Sequence, residues 1–219
     1  MDRRIRVTGR GTVSVQPDLI RLDLTIEDKY PDYEQTVRAS SEQTEQLRRT
    51  VQDAGFDPAD LKTVHFGIDG AYESYQEGSE WKQRLVGYRF THAMQLRFPN
   101  DTERLGRIFC ALSGCPVPVV FSVGYTVKDP EAVKNSLLAK AVEDSRTKAE
   151  LLTKAAGVTL GEIVTVEYTR GEPVLYARAM EQTALGRCDA AAEESCCKLN
   201  IEAADIDVQD TVTVVWEIK

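Results

Sequence analysis

Histidines, cysteines and paired carboxylates are the side chains of this sequence that could do chemistry. The chain has only two histidines, so a zinc site built on several of them is excluded. His92 falls on the apolar face of a strand pattern, which favours a core or interface residue with its ring nitrogens hydrogen-bonded. His65 could act as a base, but the sequence places no nucleophile or carboxylate with it. The acidic pairs, typical of a solvated surface, are Asp205/Asp207 and Glu193/Glu194.

The five cysteines follow neither a metal-ligand pattern nor a disulfide framework. Cys110 and Cys115 have C-x4-C spacing at a helix end without a second CxxC or a histidine, so we interpret them as buried structural thiols. The others lie in an acidic stretch of small residues and have no evident role: Cys188, Cys196 and Cys197. If a bridge forms, Cys188 would pair with Cys196 or Cys197.

Gly9-Arg10-Gly11 begins like a dinucleotide-binding fingerprint. Ser14 stands where the third glycine would be and no helix pattern opens there, so we interpret the glycines as a bend between paired strands. Motifs of the forms GxxxxGK[ST], GxSxG and HExxH do not occur. The sequence therefore predicts no catalytic, cofactor-binding or metal-binding residue.

Apolar periodicity switches between two and 3.6 residues along the chain, which is typical of mixed α and β structure. Strands outnumber helices and often follow one another directly. This favours an α+β fold with mainly antiparallel sheets, helices packed on one face, and one long helix near 130–156. The predicted strands include 20–26, 86–98, 117–127, 161–169 and 206–218. The predicted helices are 32–54, 102–113 and 130–156.

The long predicted helix carries charged pairs at i, i+4 spacing, Asp144 with Lys148 and Arg146 with Glu150. Such pairs usually stabilise a helix surface. The alternative is an electrostatic seam against the sheet or another subunit. The residues expected to face inward are Val133, Leu137, Ala141, Leu151, Leu152 and Ala155.

We interpret residues 1–219 as one domain and leave open a division into two intertwined α+β subdomains. Residues 171–200 show no sustained period, which predicts a mobile loop with a short helix near Ala190. Residues 76–83 are polar and predict a loop or hairpin tip. The aromatic residues around this loop, which could line a ligand pocket, are Tyr72, Tyr75, Trp81 and Tyr88.

Charge and hydropathy exclude several classes of function. Lys and Arg number 27 and Asp and Glu 35, so the net charge is 27 − 35 = −8, which argues against nucleic acid as a partner. The sequence has no run near the ~20 apolar residues that a membrane span requires. Residues 1–10 lack the apolar run of a secretory signal, which predicts a cytoplasmic protein, or a periplasmic or exported one if the sequence has been trimmed.

Several short motifs, in the same order along the chain, resemble those of the SIMPL-domain family of YggE-type bacterial proteins. The opening pattern is Ile5-x-Val7-x-Gly9-x-Gly11, followed by Val13, Val15, Pro17 and Asp18. The middle matches are Gly55, Asp60-Leu61-Lys62-Thr63, Tyr72 and Gly87-Tyr88. The most specific matches are Ala141, Asp144, Arg146, Lys148-Ala149-Glu150, Leu152, Ala156-Gly157 and Leu160-Gly161.

The resemblance implies an α+β protein that assembles into large oligomers, with a link to oxidative-stress tolerance and no established catalytic residues. We therefore expect a non-enzymatic, self-associating protein, a homo-oligomer without a cofactor, in which the terminal strand 206–218 and the strand 20–26 offer edges for pairing between subunits. One alternative is a small-molecule or peptide binder with a pocket between helices and sheet. A less favoured alternative is an enzyme of unrecognised type.

Overall fold

The computed structural model describes residues 3–168, the backbone of 176–183, and residues 203–219. Within this part the chain forms an α+β fold, as predicted. Its strands are β1 (Arg4–Val15), β2 (Leu19–Tyr30), β3 (Lys62–Glu77), β4 (Glu80–Pro99), β5 (Val119–Thr126), β6 (Leu160–Glu167), β7 (Tyr176–Thr183) and β8 (Ile206–Ile218). Its helices are α1 (Tyr33–Asp53), α2 (Thr102–Ser113) and α3 (Pro130–Ala156), with a 3-10 turn at Pro58–Asp60.

The chain divides into two compact units, each built from separate stretches of sequence. One unit contains the described residues 3–18, 126–168 and 203–219, and the other contains 19–125 and 178–183. Strand β7 lies within the segment expected to be a loop, so that expectation is wrong for residues 176–183. The rest of 171–200, including the helix expected near Ala190, lies outside the described residues.

The larger unit holds a five-stranded sheet in the order β3-β4-β2-β5-β7. Strands β2 and β3 both pair antiparallel with β4. The succession β2-α1-β3-β4-α2-β5 is the split β-α-β arrangement of ferredoxin-like folds. The alternation predicted for β2 places its even-numbered apolar residues in the core, and Leu22, Leu24 and Ile26 are fully buried. Because β2 lies between β4 and β5, it is not the sheet edge that the sequence analysis expected.

Strands β3 and β4 form one long hairpin. Gly67 and Gly70 do not break β3, since pairing with β4 continues past both and only shifts register between Thr63 and His65 and between Ala71 and Tyr72. The polar stretch 76–83 is almost entirely strand, because the turn is confined to residues 78–79. Gly78 makes this turn with a φ of +67°, a conformation that glycine adopts without a Cβ penalty.

The smaller unit holds a three-stranded sheet in the order β1-β8-β6, with α3 packed against it. Strand β1 pairs with β8 without interruption from Arg4 to Val15, so Gly9 and Gly11 do not form the expected bend. A Cβ on Gly9 would lie 1.9 Å from the carbonyl oxygen of Ala141, and one on Gly11 would lie 2.0 Å from that of Leu137. The glycines therefore allow the backbone of α3 to approach the strand.

The same sheet corrects the expectation for the terminal strand. Strand β8 is the central strand of this sheet: β1 pairs with one of its edges and β6 with the other. Val214, in the middle of β8, is fully buried. A proline at Val214 would remove a ladder hydrogen bond from a central strand and would disrupt the unit itself. Self-association through β8, the interface first expected, is therefore not available while this sheet is intact.

Helix α3 spans the predicted range, 130–156, but its buried face differs in part from the expected one. The buried residues recur every fourth position: Leu137, Ala141, Ser145, Ala149 and Thr153. Leu151 and Leu152, expected to face inward, are 68% and 50% exposed. Small side chains occupy the inward stripe because the helix lies so close to β1, which leaves no room there for leucine along most of its length.

Candidate functional site

An exposed arm, residues 72–85, forms the end of the β3–β4 hairpin. Every residue in it is exposed to solvent. Opposed residues in an antiparallel pair share a face, and Tyr72 lies opposite Leu85 while Gln76 lies opposite Trp81. Alternation along each strand puts these pairs on the same side of the arm. Tyr72, Leu85 and Trp81 are 64%, 48% and 71% exposed, so this face of the arm, called its apolar face below, presents three large uncovered apolar side chains among the polar Ser74, Gln76 and Gln83.

The opposite face of the arm is charged. Arg84 pairs with Glu73 at 3.0 Å across the two strands, and Lys82 pairs with Glu77 at 2.6 Å. The guanidinium of Arg84 also lies 5.7 Å from the ring centroid of Tyr75. The arm is thus amphipathic. Its charged face is already satisfied by its own ion pairs, whereas no ion pair or hydrogen bond to the side chains of its apolar face is present among the residues that the structure describes.

The outer edge of β1 is covered by side chains of α3. The backbone N–H of Arg10 donates to the carboxylate of Asp144 at 2.7 Å. On either side, Lys148 Nζ donates to the carbonyl of Thr8 at 3.4 Å and Lys140 Nζ to that of Thr12 at 3.3 Å. Open backbone groups at a sheet edge invite pairing with another chain, so these side chains protect the edge.

Asp144 and Lys148 therefore act together as the seam against the sheet that the sequence analysis left as an alternative. Their side chains meet at 2.6 Å, and the pKa of Asp144 is lowered, first by the hydrogen bond from Lys148 and then by the one from Arg10. The other predicted pair, Arg146 with Glu150, lies on the exposed face of α3 at 3.0 Å and serves only the helix. Spacing alone could not distinguish the two pairs.

His92 is buried in the larger unit with both ring nitrogens hydrogen-bonded, as the sequence predicted. Nδ1 lies 2.9 Å from the hydroxyl of Thr44, and Nε2 lies 2.9 Å from that of Thr63. The Thr44 hydroxyl donates its proton to the carbonyl of Ser40 at 2.7 Å, so Nδ1 is the donor towards Thr44 and Nε2 accepts from Thr63. Burial, and then the charge of Arg48, lower the pKa of His92, which favours the neutral ring.

A groove of about 520 Å³ lies between α1 and the β3 side of the sheet. His92 forms part of its wall, and the ring of Phe66 stacks edge-on against His92 with centroids 5.2 Å apart. Helix α1 contributes hydroxyl, apolar and charged side chains: Val37, Ser40, Ser41, Thr44, Glu45 and Arg48. This groove could not be predicted from the sequence, because its residues on α1, β3 and β4 come together only when β3 pairs with β4 and α1 packs against the sheet.

The aromatic residues proposed as a pocket lining do not converge. Tyr72 and Trp81 lie on the apolar face of the arm and Tyr75 on its charged face. Tyr88 is half-buried and stacks edge-on with Tyr33, with ring centroids 5.6 Å apart. These four residues therefore form no common pocket, and the groove beside Phe66 uses none of them.

The remaining candidate residues have no shared site among the described residues. His65, Asp205 and Asp207 are exposed, while Glu193 and Glu194 lie outside the described part. In that part, no three His, Cys, Asp or Glu side chains are grouped to hold a metal ion.

The described cysteines are half-buried rather than buried. Neither Cys110 nor Cys115 is in a disulfide, and the Thr50 hydroxyl lies 3.4 Å from Cys115 Sγ. Cys188, Cys196 and Cys197 lie outside the described residues, so the proposed pairing among them stays a prediction.

These features define an α+β protein with a ferredoxin-like unit, a second three-stranded unit and an exposed amphipathic arm. None of the helices that the structure describes combines the length and apolar composition needed to cross a bilayer. The chain belongs to the SIMPL family, described as proteins of unknown function (DUF541), whose model matches residues 5–216.

Curated relatives match nearly the whole chain. A 26 kDa periplasmic immunogenic protein of Brucella melitensis is 27% identical over an alignment of 219 positions, which covers 99% of this chain and 85% of that protein. The uncharacterized protein YggE of Edwardsiella ictaluri is 21% identical over 211 residues, 96% of this chain and 85% of that protein. Among solved structures, the regulatory subunit of aspartate kinase from Thermus flavus aligns with 8% identity over 97% of this chain and 89% of that one, at a TM-score of 0.17 that carries no information on fold or function.

Proposed function

We propose that this protein is a non-enzymatic, self-associating protein that assembles through the amphipathic arm, residues 72–85. The observation that carries the proposal is the apolar face formed by Tyr72, Leu85 and Trp81, which is exposed while the opposite face is satisfied by ion pairs. Covering such a face is favourable by roughly 25 cal/mol per Å² of apolar surface. A second copy of the chain supplies an identical apolar face.

The position of β3 in its sheet is a second argument for self-association through the arm. The strand order places β3 at one margin of the five-stranded sheet, so one of its edges does not pair within this sheet. The β1 edge of the other sheet, in contrast, is covered by α3. An amphipathic hairpin with an open edge can extend its sheet into a neighbouring subunit, and a two-fold axis makes that contact self-complementary.

Sedimentation velocity at micromolar concentrations tests the proposal. The wild-type chain is expected to sediment as a dimer or larger assembly, and the double variant Tyr72→Ser/Trp81→Ser as a monomer. Both substituted residues are exposed, so circular dichroism should show an unchanged fold. Leu151→Ser/Leu152→Ser is the matched control, because it removes two exposed apolar residues from α3 and should leave assembly intact. A monomeric wild type, or equal assembly of wild type and arm variant, would contradict the proposal.

We also propose the periplasm as the compartment in which the assembly works. The name of the Brucella relative, a periplasmic immunogenic protein, supports this over the cytoplasmic expectation. Fractionation of cells that make the protein from its own gene is expected to release it with the periplasmic contents.

The link to oxidative stress that the resemblance implies is also part of the proposal. A strain that lacks the gene should lose viability in peroxide, and its viability should be restored by the wild-type chain but not by the arm variant Tyr72→Ser/Trp81→Ser.

Ligand binding is a second candidate function, favoured by the groove beside His92. The arm lies in β3 and β4 beyond that groove and shares no residue with its lining. Self-association and ligand binding can therefore be tested separately.

A further inference from the structure

Arg48 is the charged residue of the groove that lacks a carboxylate partner. Its guanidinium donates one hydrogen bond, from Nη1 to the carbonyl of Pro58 at 3.1 Å, and no ion pair to it is present among the described residues. The neighbouring Glu45, at the rim, pairs instead with Arg49 at 3.3 Å. A guanidinium offers five N–H donors, so Arg48 keeps donors that no protein group uses.

The apolar part of the groove lies beside this charge. Val37 on α1 and Phe66 on β3 are 41% and 48% exposed and both line the groove. Between them and Arg48, the hydroxyl of Ser41 is exposed in the same lining, while the side chains of Ser40 and Thr44 are hydrogen-bonded to carbonyls of the helix. The lining thus combines one cation without an ion pair, an aromatic ring, few free polar groups and one carboxylate, Glu45, that pairs with Arg49.

We propose that this groove binds a small organic monocarboxylate with an apolar body. The carboxylate accepts charge-assisted hydrogen bonds from Arg48, for which a planar guanidinium is well suited. The apolar body covers Phe66 and Val37 and excludes water from the ion pair. A groove of about 520 Å³ falls within the range of ~300–1,000 Å³ that small-molecule sites occupy.

The neutral state of His92 fits an acid of one negative charge. Both ring nitrogens are engaged with Thr44 and Thr63, so the imidazole offers no further donor and Arg48 alone balances the ligand. A ligand with two carboxylates would place its second charge beside Glu45 at the rim. The site therefore favours a monocarboxylate over a dicarboxylate.

Phenylacetate is the probe for this site, and phenylacetamide and phenylsuccinate are the matched comparisons. Heteronuclear NMR of the wild-type chain is expected to show saturable shifts of the His92 ring and of α1 amides with phenylacetate. The amide, which has the same shape without the charge, and the dicarboxylate should each bind at least about tenfold more weakly, as expected when a charge-assisted hydrogen bond is lost or a like charge is added. Because these three titrations use the unaltered protein, their outcome does not depend on the folding of any variant.

Two variants locate the binding. Arg48→Gln is expected to weaken phenylacetate binding about tenfold or more, whereas Arg38→Gln, which removes an exposed guanidinium of α1 that pairs with Glu34 outside the groove lining, should bind as the wild type does. No saturable shifts with phenylacetate, equal binding of acid and amide, or equal effects of the two variants would each overturn the proposal. The arm variant Tyr72→Ser/Trp81→Ser should bind normally, which separates the outcome from that for self-association.

Discussion

Gly9 of β1 lies directly against the backbone of Ala141 of α3, so closely that a Cβ on the glycine would stand 1.9 Å from the Ala141 carbonyl oxygen. No side chain movement can relieve that contact, because the opposing atom belongs to the helix backbone. The glycine pair that resembles a nucleotide fingerprint is therefore a packing feature. Its partner residues lie more than a hundred positions away in the sequence.

Gly9→Ala should consequently lower the free energy of unfolding by about 2 kcal/mol or more, since the helix must move away from the sheet. Chemical denaturation monitored by circular dichroism measures this loss. The control is Gly114→Ala at the end of α2, where the nearest atom to the new methyl would lie 3.7 Å away and the change should be nearly neutral. Equal stability of the two variants would show that α3 does not pack on β1 at this distance.

Ala149→Leu tests the inward face of α3. Ala149 is fully buried and belongs to the cluster in which α3 packs against the three-stranded sheet. The larger side chain should cost about 1–3 kcal/mol of unfolding free energy through overpacking. Ala155→Leu, on the exposed face of the same helix, should leave thermal and chemical stability within error of the wild type. An Ala149→Leu variant with the unfolding free energy of the wild type would contradict the burial of this face of α3.

Asp144→Asn tests the protection of the β1 edge. The pKa of Asp144 is lowered in the folded protein, so its ionised form contributes stability above the unfolded value of about 3.8 and this contribution is lost as pH falls through the folded pKa. The variant should be less stable than the wild type at neutral pH, and the difference should vanish in acid. Glu150→Gln removes an exposed partner of Arg146 and should show neither effect. Identical pH profiles for wild type and Asp144→Asn would refute this role.

His92 should also make the stability depend on pH, but for a different reason: burial disfavours its charged form, whereas hydrogen bonds favour the charged form of Asp144. The pKa of His92 is lowered in the folded state by burial and by Arg48, so the unfolded chain takes up a proton first, near pH 6.5. Stability should be complete above that value and fall as pH is lowered through it, by at most about 1.4 kcal/mol per pH unit. In urea titrations between about pH 7.5 and about pH 5.5, His92→Gln should show a shallower slope than the wild type. Parallel slopes would mean that His92 is not held neutral.

The amino-acid sequence by itself determined the α+β class, the long helix and the buried position of His92. Each of these depends on local periodicity: alternation buried the even-numbered apolar residues of β2, Asp129 and Pro130 started α3, and Gly157 ended it with a φ of +70°. Such signals depend on residues within a few positions of one another, so they can be recognised without knowing the fold. The motifs that indicated the SIMPL family were recognisable for the same reason.

The tertiary structure alone decided which strands are edges, which face of α3 is buried and where a groove forms. An alternating strand looks the same in sequence whether it has one neighbour or two, and β8 became central only because β1 and β6 both pair with it. Likewise, Asp144 and Glu150 are both acidic members of i, i+4 pairs on α3, but only Asp144 accepts a hydrogen bond from the backbone of Arg10, which lies 134 residues earlier in the sequence. Arg48 and Phe66 meet in one groove because β4 aligns β3 beside α1. Long-range pairing sets all of these relationships, and no local pattern encodes it.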